Sequence, residues 1–238
     1  MSVSFQQAIQ SGKDNTFSFV HIKHRKMNKK MRQTFSPSST IPYNKKCIFA
    51  PKNFLMKEPD YSILQKHVLS HRIFESELHG IEHWKQVERN GLLLATETGA
   101  DVTIVRLFAL FHDSKRADDG FDKEHGPRGA EFAKTCFEEH RFDITQEQFD
   151  KLYHACKFHT TEPRSGDATI DTCYDADRLD LGRVGIKLDP NKMATAFGAR
   201  IAQKSVDANV KPESFREWLE DNQNAFRQPQ PFRHSEQP

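Results

Sequence analysis

The 238-residue chain predicts an all-α domain, and three observations carry that reading. From Tyr61 onward apolar residues recur at helical spacing, the apolar/polar alternation of a half-buried strand is scarce, and helix-starting residues precede several of the apolar stretches. The first 58 residues differ. HIKHRKMNKKMR (21–32) is a basic run, SPSSTIP (36–42) is turn-rich, and no apolar stripe is sustained, so little surface can be buried to offset the entropy of ordering. Residues 1–58 are therefore expected to be a disordered basic and polar extension. Met56 stands directly ahead of the first periodic segment as a candidate internal start, with the residues before it dispensable.

Periodicity then places helices near 61–74, 81–99, 101–115, 124–141, 145–160, 169–184, 190–205 and 211–225. The third starts from Asp101 ahead of Val102 and Val105, the fifth from Thr145 with Glu147 and Gln148 following, and the seventh from Asp189-Pro190. The run Ile104–Phe111 is among the most apolar in the chain, so its end is expected to be buried, with Phe111 and Trp84 in the core. The last helix offers Phe215, Trp218 and Leu219 on one face for docking, and QPQPFRHSEQP after it reads as a polar tail. The expected organisation is an extension to residue 58, one helical domain over 59–205, and a C-terminal helix with a tail over 206–238.

Composition narrows the partners. Thirty-five Lys and Arg against 33 Asp and Glu leave a net charge of +2, too little to imply nucleic acid or an anionic membrane as an obligatory partner. No stretch approaches the roughly 20 apolar residues of a spanning helix, and the basic-then-apolar order of a secretory signal is missing at the start. Four scattered cysteines, Cys47, Cys136, Cys156 and Cys173, form no CxxC pair, which fits a reducing cytoplasm. Oligomeric state is not legible.

Most of the twelve histidines fall between His67 and His159. Five places there supply metal-ligand residue types at helix ends or on helix faces: His83, the pair His112-Asp113, His125, His159 and Asp177. Asp113 poses a question of energy, because an unpaired carboxylate at the end of a buried apolar helix is too costly to persist. A cation is expected beside it. Imidazole and carboxylate together suit borderline and hard divalent ions, and mixed N,O sites with open positions are usually catalytic.

The order HGIEHW, HD, HGPRGA, a lone His and then DADRLD resembles the HD superfamily of metal-dependent phosphohydrolases over about residues 60–205. That resemblance implies an HD-type helical domain in which His83, His112, Asp113 and Asp177 ligate one divalent ion, with His125 and His159 placed to hold a second. The ion would be Mn, Fe, Zn, Mg, Co or Ni, one or two per chain. An aspartate can bridge two ions, which a neutral imidazole cannot. Two such ions clamp a phosphoryl group and acidify a bound water, so no covalent nucleophile is needed. The expected substrate is a small, nucleotide-like phosphoester, with Lys115, Arg128 or Arg178 offsetting charge on its phosphate oxygens and the loops 116–126 and 160–168 setting specificity. Asp175 and Asp180 flank Asp177 as substitutes, and His154 is read as structural.

Two other readings compete. His79-Gly80-Ile81-Glu82-His83 matches the H-x-x-E-H signature of inverted zinc peptidases, which requires Glu82 as general base beside both histidines. That reading leaves the His-Asp pair and DADRLD unused, and it places His79 in the metal site rather than beside the pocket. The third reading is a metal-stabilised regulatory domain that binds a nucleotide without turnover.

Overall fold

A computed structural model describes residues 61–227; the expected disordered extension and the polar tail lie outside them. Among the described residues every regular element is helical. The eight α-helices are α1 (Tyr61–Ser70), α2 (Ile81–Thr98), α3 (Val102–Phe111), α4 (His125–Glu138), α5 (Gln146–Phe158), α6 (Ala168–Arg178), α7 (Ala196–Asp207) and α8 (Phe215–Arg227), with short 3-10 turns at Leu181–Val184, Pro190–Lys192 and Pro212–Ser214.

The hydrophobic pattern decides the packing. α3 is the central helix, because Ile104, Val105, Leu107, Phe108, Ala109, Leu110 and Phe111 are all buried, which leaves only Val102, Thr103 and Arg106 reaching water. α2 and α5 lie against it, α6 packs on α2, and α4 packs on α5. Between α2 and α6 the buried Asn90 donates to the carbonyl of Ala176 at 2.9 Å. This bond pins the two helices one residue before Asp177.

Helix starts follow the polar residues at their ends. Asp101 accepts from the amide of Thr103 at 2.9 Å. Thr145 and Gln148 form a reciprocal capping box, and the Gln148 amide reaches back to Asp101 at 2.6 Å, so the starts of α3 and α5 are tied together. Caps of this kind stabilise a helix by about 1 kcal/mol each.

Several boundaries depart from the periodicity. α1 stops at Ser70 rather than continuing to residue 74, and α3 ends at Phe111, with His112 capping it and residues 112–115 in a turn. α6 ends at Arg178 because Asp180 turns inward, where its carboxylate is buried. Asp189 does cap the turn at Pro190, yet that turn stops at Lys192 and α7 starts only at Ala196. The cause is Asp175. Its buried carboxylate accepts from the amides of Ala194 and Thr195, both at 2.7 Å, which holds the chain extended until Thr195 caps α7 through Gly198 at 2.9 Å.

α4 comes unusually close to its neighbours. A Cβ on Gly129 would sit 2.5 Å from the carbonyl of Phe111, and one on Gly126 would sit 2.8 Å from the carbonyl of Cys156. The two glycines of HGPRGA let the first turn of α4 press on the C-terminal ends of α3 and α5, and this brings His125 beside Asp113 and His159. The C-terminal helix α8 docks through Phe215, Leu219 and Phe226, all buried, with Trp218 partly so. No helix among the described residues is long and apolar enough to cross a membrane, and the described cysteines, Cys136, Cys156 and Cys173, are buried free thiols.

Candidate metal centre

Each candidate ligand sits where a helix begins or ends. His83 lies in the first turn of α2, His112 and Asp113 at the end of α3, His125 at the first position of α4, His159 at the cap of α5, and Asp177 in the last turn of α6. All but Asp177 are nearly inaccessible to solvent, and Asp177 is half-buried. The structure brings them together around the carboxylate of Asp113.

The two oxygens of that carboxylate face two different clusters. Oδ2 lies 3.5 Å from His83 Nε2 and 3.6 Å from His112 Nε2, and Asp177 Oδ1 closes this first cluster at 3.3 Å from His83 Nε2. Oδ1 lies 3.2 Å from His125 Nε2 and 3.9 Å from His159 Nε2, the second cluster. The ligand atoms of His83, His112 and Asp177 lie within 4.8 Å of one another, and so do those of Asp113, His125 and His159. One carboxylate is thus shared between two sets of donors.

The chemistry of the donors tests whether a cation fits. Each of the four imidazoles has its Nδ1 against an oxygen acceptor: His83 on Asp180 at 2.7 Å, His112 on the carbonyl of Phe108 at 3.1 Å, His159 on that of Cys156 at 2.8 Å, and His125 on that of Asp122. Nδ1 must carry the hydrogen in every case, so Nε2 of the neutral ring presents a lone pair. Those lone pairs face one another, His83 to His112 at 3.1 Å and His125 to His159 at 3.0 Å. Two lone pairs at that separation beside a carboxylate repel unless positive charge lies between them. A divalent cation fits both clusters.

In the absence of metal a proton takes the first place. Burial works against a charged His83, but hydrogen bonds to Asp113, Asp177 and Asp180 outweigh it and raise its pKa to about 10. Burial lowers His112 to about 3, so the pair holds one proton between them. Burial also disfavours the charged forms of Asp113 and Asp177, and the neighbouring histidines override this and keep both carboxylates ionised. His125 is lowered, chiefly by burial, which keeps its ring neutral.

The cation beside Asp113 that the sequence demanded is also present as Arg116, one turn beyond. Its Nη1 lies 3.4 Å from Asp113 Oδ1 and 3.3 Å from His125 Nδ1, while its other nitrogens donate to the carbonyls of Asp118 and Gly120 at 3.2 and 2.8 Å. The basic residues expected to meet phosphate point elsewhere. Lys115 donates to the carbonyl of His71 and lies over the ring of Phe132, 3.9 Å from its centroid, an apolar seat that the run after Asp113 could not reveal. Arg178 braces loops, donating to the carbonyls of Pro163, Lys192 and Glu162 at 2.9, 3.1 and 3.0 Å. Arg128 pairs with Asp122 and the carbonyl of Lys115. Arg116, three residues beyond Asp113, is the basic side chain that faces the shared carboxylate; that spacing was the available signal.

Asp180 does not substitute for Asp177 but stands behind His83, where it is almost fully buried. Asp175 holds the chain ahead of α7, and His154 bonds Glu162 at 2.7 Å, 38% and 31% of the two side chains remaining exposed, away from both clusters. His79 lies at the rim, its Nδ1 3.0 Å from Asp113 Oδ2 and 2.9 Å from Arg183. Glu82, which a peptidase would need as its base, is exposed and pairs with Lys85 at 2.7 Å.

A cavity of about 580 Å³ opens beside the second cluster. His125 and Arg116 form part of its wall, with Phe121, Phe158, Lys123 and Lys157 around them. Phe121 is 88% exposed, an unusual state for a phenyl ring and one that leaves a stacking face open in the cavity.

In comparisons with known proteins, no family model matches the chain and no curated protein matches it. Among solved structures the chain is similar to the crystal structure of a predicted HD superfamily hydrolase from an uncultured Thermotogales bacterium. The identity is 24% over 67% of this chain and 89% of that one, with a TM-score of 0.48.

Proposed function

We propose that the chain is a metal-dependent phosphohydrolase of the HD type acting on a nucleotide-like phosphoester. The observation that carries this reading is the paired arrangement of imidazole lone pairs on opposite oxygens of one carboxylate. His83, His112, Asp113 and Asp177 would hold the first ion, and Asp113, His125 and His159 the second. Divalent ions at such seats polarise a phosphoryl oxygen and acidify water. The donor set of nitrogen and carboxylate oxygen, with no thiolate, suits Mn, Fe, Co, Ni or Zn better than an all-oxygen preference such as that of Mg.

The chain's own residues supply the rest. Asp113 and Asp177 bring two negative charges into a nearly dry site, the condition that favours a divalent ion over the proton on His83. Arg116, Lys123 and Lys157 give the cavity cationic groups matched to a phosphate group, and Phe121 and Phe158 provide an aromatic surface matched to a base. A cavity of about 580 Å³ is within the range of small-molecule sites.

Metal analysis of the purified protein, followed by hydrolysis assays on phosphomonoesters, phosphodiesters and nucleoside triphosphates with each divalent ion, tests the reading. Ion-dependent release of phosphate or pyrophosphate from one of these classes supports it. Ion binding without turnover on the whole panel would select the regulatory domain instead, and no ion binding would exclude both.

A further inference from the structure

We infer that Arg216, carried by α8 and outside the ligand-bearing helices, is a positioning residue for the metal centre that acts on His83 through Asp180. The inference rests on the reading of His83 as an ion ligand.

Asp180 follows α6 and is 1% exposed. A buried carboxylate needs charge-bearing partners to remain ionised, and Arg216 provides them in paired form: Nε donates to Oδ1 at 2.6 Å and Nη2 to Oδ2 at 2.7 Å. Such a two-point contact fixes the plane of the carboxylate as well as its charge. The neighbouring Arg183 does not share the task, because its Nη1 lies 3.7 Å from Oδ2 and donates instead to the carbonyl of Asp180 at 3.0 Å. Oδ2 then accepts the Nδ1 hydrogen of His83 at 2.7 Å. The chain Arg216, Asp180, His83 thus sets both the tautomer and the ring orientation that aim Nε2 at Asp113, Asp177 and His112.

The fold delivers Arg216 to that place. Phe215 and Leu219, flanking it on α8, are buried in the core, and the guanidinium reaches Asp180 beside a small cavity of about 80 Å³ formed with Gln86, Arg89 and Asn90 of α2. Without Arg216, Asp180 would keep only His83 and the distant Arg183, and the histidine would lose the fixed acceptor that orients it. A purely structural Arg216 would instead serve only to fasten α8.

Direct titration of the metal-free full chain with Mn²⁺, together with thermal melting of the same metal-free samples, separates the two roles. Arg216→Gln is expected to bind the first ion about 10- to 100-fold more weakly, the usual cost of losing a partner behind a metal ligand. Arg216→Lys keeps the charge but not the two-point contact and is expected between that value and wild type. Leu219→Ala loosens α8 and lowers the melting temperature, yet keeps Mn²⁺ affinity within about two-fold of wild type, because its side chain touches no ligand. Asp180→Asn and the double variant Arg216→Gln/Asp180→Asn are expected to bind equally weakly, as two members of one relay do. The inference is overturned if wild type binds Mn²⁺ and Arg216→Gln and Arg216→Lys bind it equally well, if Leu219→Ala loses as much affinity as Arg216→Gln, or if the Arg216 and Asp180 effects multiply. A wild-type chain that takes up no Mn²⁺ would overturn the metal reading and this inference together.

Discussion

The two clusters that share Asp113 are built from the same side chains but supported differently. In the first, His83 leans on a buried carboxylate, Asp180, and Asp177 adds a second carboxylate beside Asp113. In the second, His125 and His159 lean only on backbone carbonyls, Asp113 is the one carboxylate, and Arg116 already stands within 3.4 Å of its Oδ1. The first is held between α2, α3 and α6, with Asp177 its most exposed ligand, whereas His125 of the second forms part of the wall of the cavity. Affinity for a cation rises with ligand charge and with the fixity of the ligands, so on the proposed reading the first seat would hold its ion more tightly, and the second, more weakly charged and beside the cavity, would face the substrate.

The largest expected effect comes from the residue that both seats share. Asp113→Ala should empty both and lower kcat by about 10³-fold or more, since several kcal/mol of Lewis-acid stabilisation is lost. Its metal-free form should nevertheless melt close to metal-free wild type, because a desolvation penalty disappears with the carboxylate; calorimetry of the two stripped proteins checks this. Single-seat variants should then divide the pair. His112→Ala should lose the tight ion, while His125→Ala and His159→Ala should each retain one ion and lose mainly turnover, as read by elemental analysis beside steady-state kinetics. Equal ion loss in all three variants would erase the distinction between the seats.

Acidity probes the first seat alone. His83 is raised to about 10 from an ordinary value of 6.5, so its proton stabilises the metal-free fold fully below about pH 6.5, and that contribution is lost as pH rises toward 10. An ion must displace this proton, so affinity at the first seat should rise over the same window while the metal-free melting temperature falls. A melting temperature of the metal-free protein that is flat from pH 7 to 9 would contradict the assignment of the proton. The smallest effect belongs to Arg116. Arg116→Gln should raise KM about ten-fold through loss of a charged hydrogen bond to phosphate, with ion content unchanged.

Much of this was legible in the sequence, because the features are local. The largely apolar run of α3 predicted a buried helix, the residues Asp101, Thr145 and Gln148 predicted caps, and the spaced His and Asp residues lie close together in the fold. What was not legible depends on contacts far along the chain. α7 starts late because Asp175, about twenty residues earlier, takes the amides of Ala194 and Thr195 just ahead of it. Lys115 and Arg178 differ from Arg116 only in the direction their side chains take, which the packing of Phe132 and the surrounding carbonyls decides. Arg216 gave no sign of its role, since its partner Asp180 is 36 positions away.

The most direct measurement is the ion count per chain of Mn²⁺-loaded wild type and Asp113→Ala, by native mass spectrometry alongside turnover on the best substrate of the panel. The shared-carboxylate account predicts two ions in wild type, and neither ion nor turnover in the variant. An Asp113→Ala protein that keeps the wild-type ion count and turnover would contradict it.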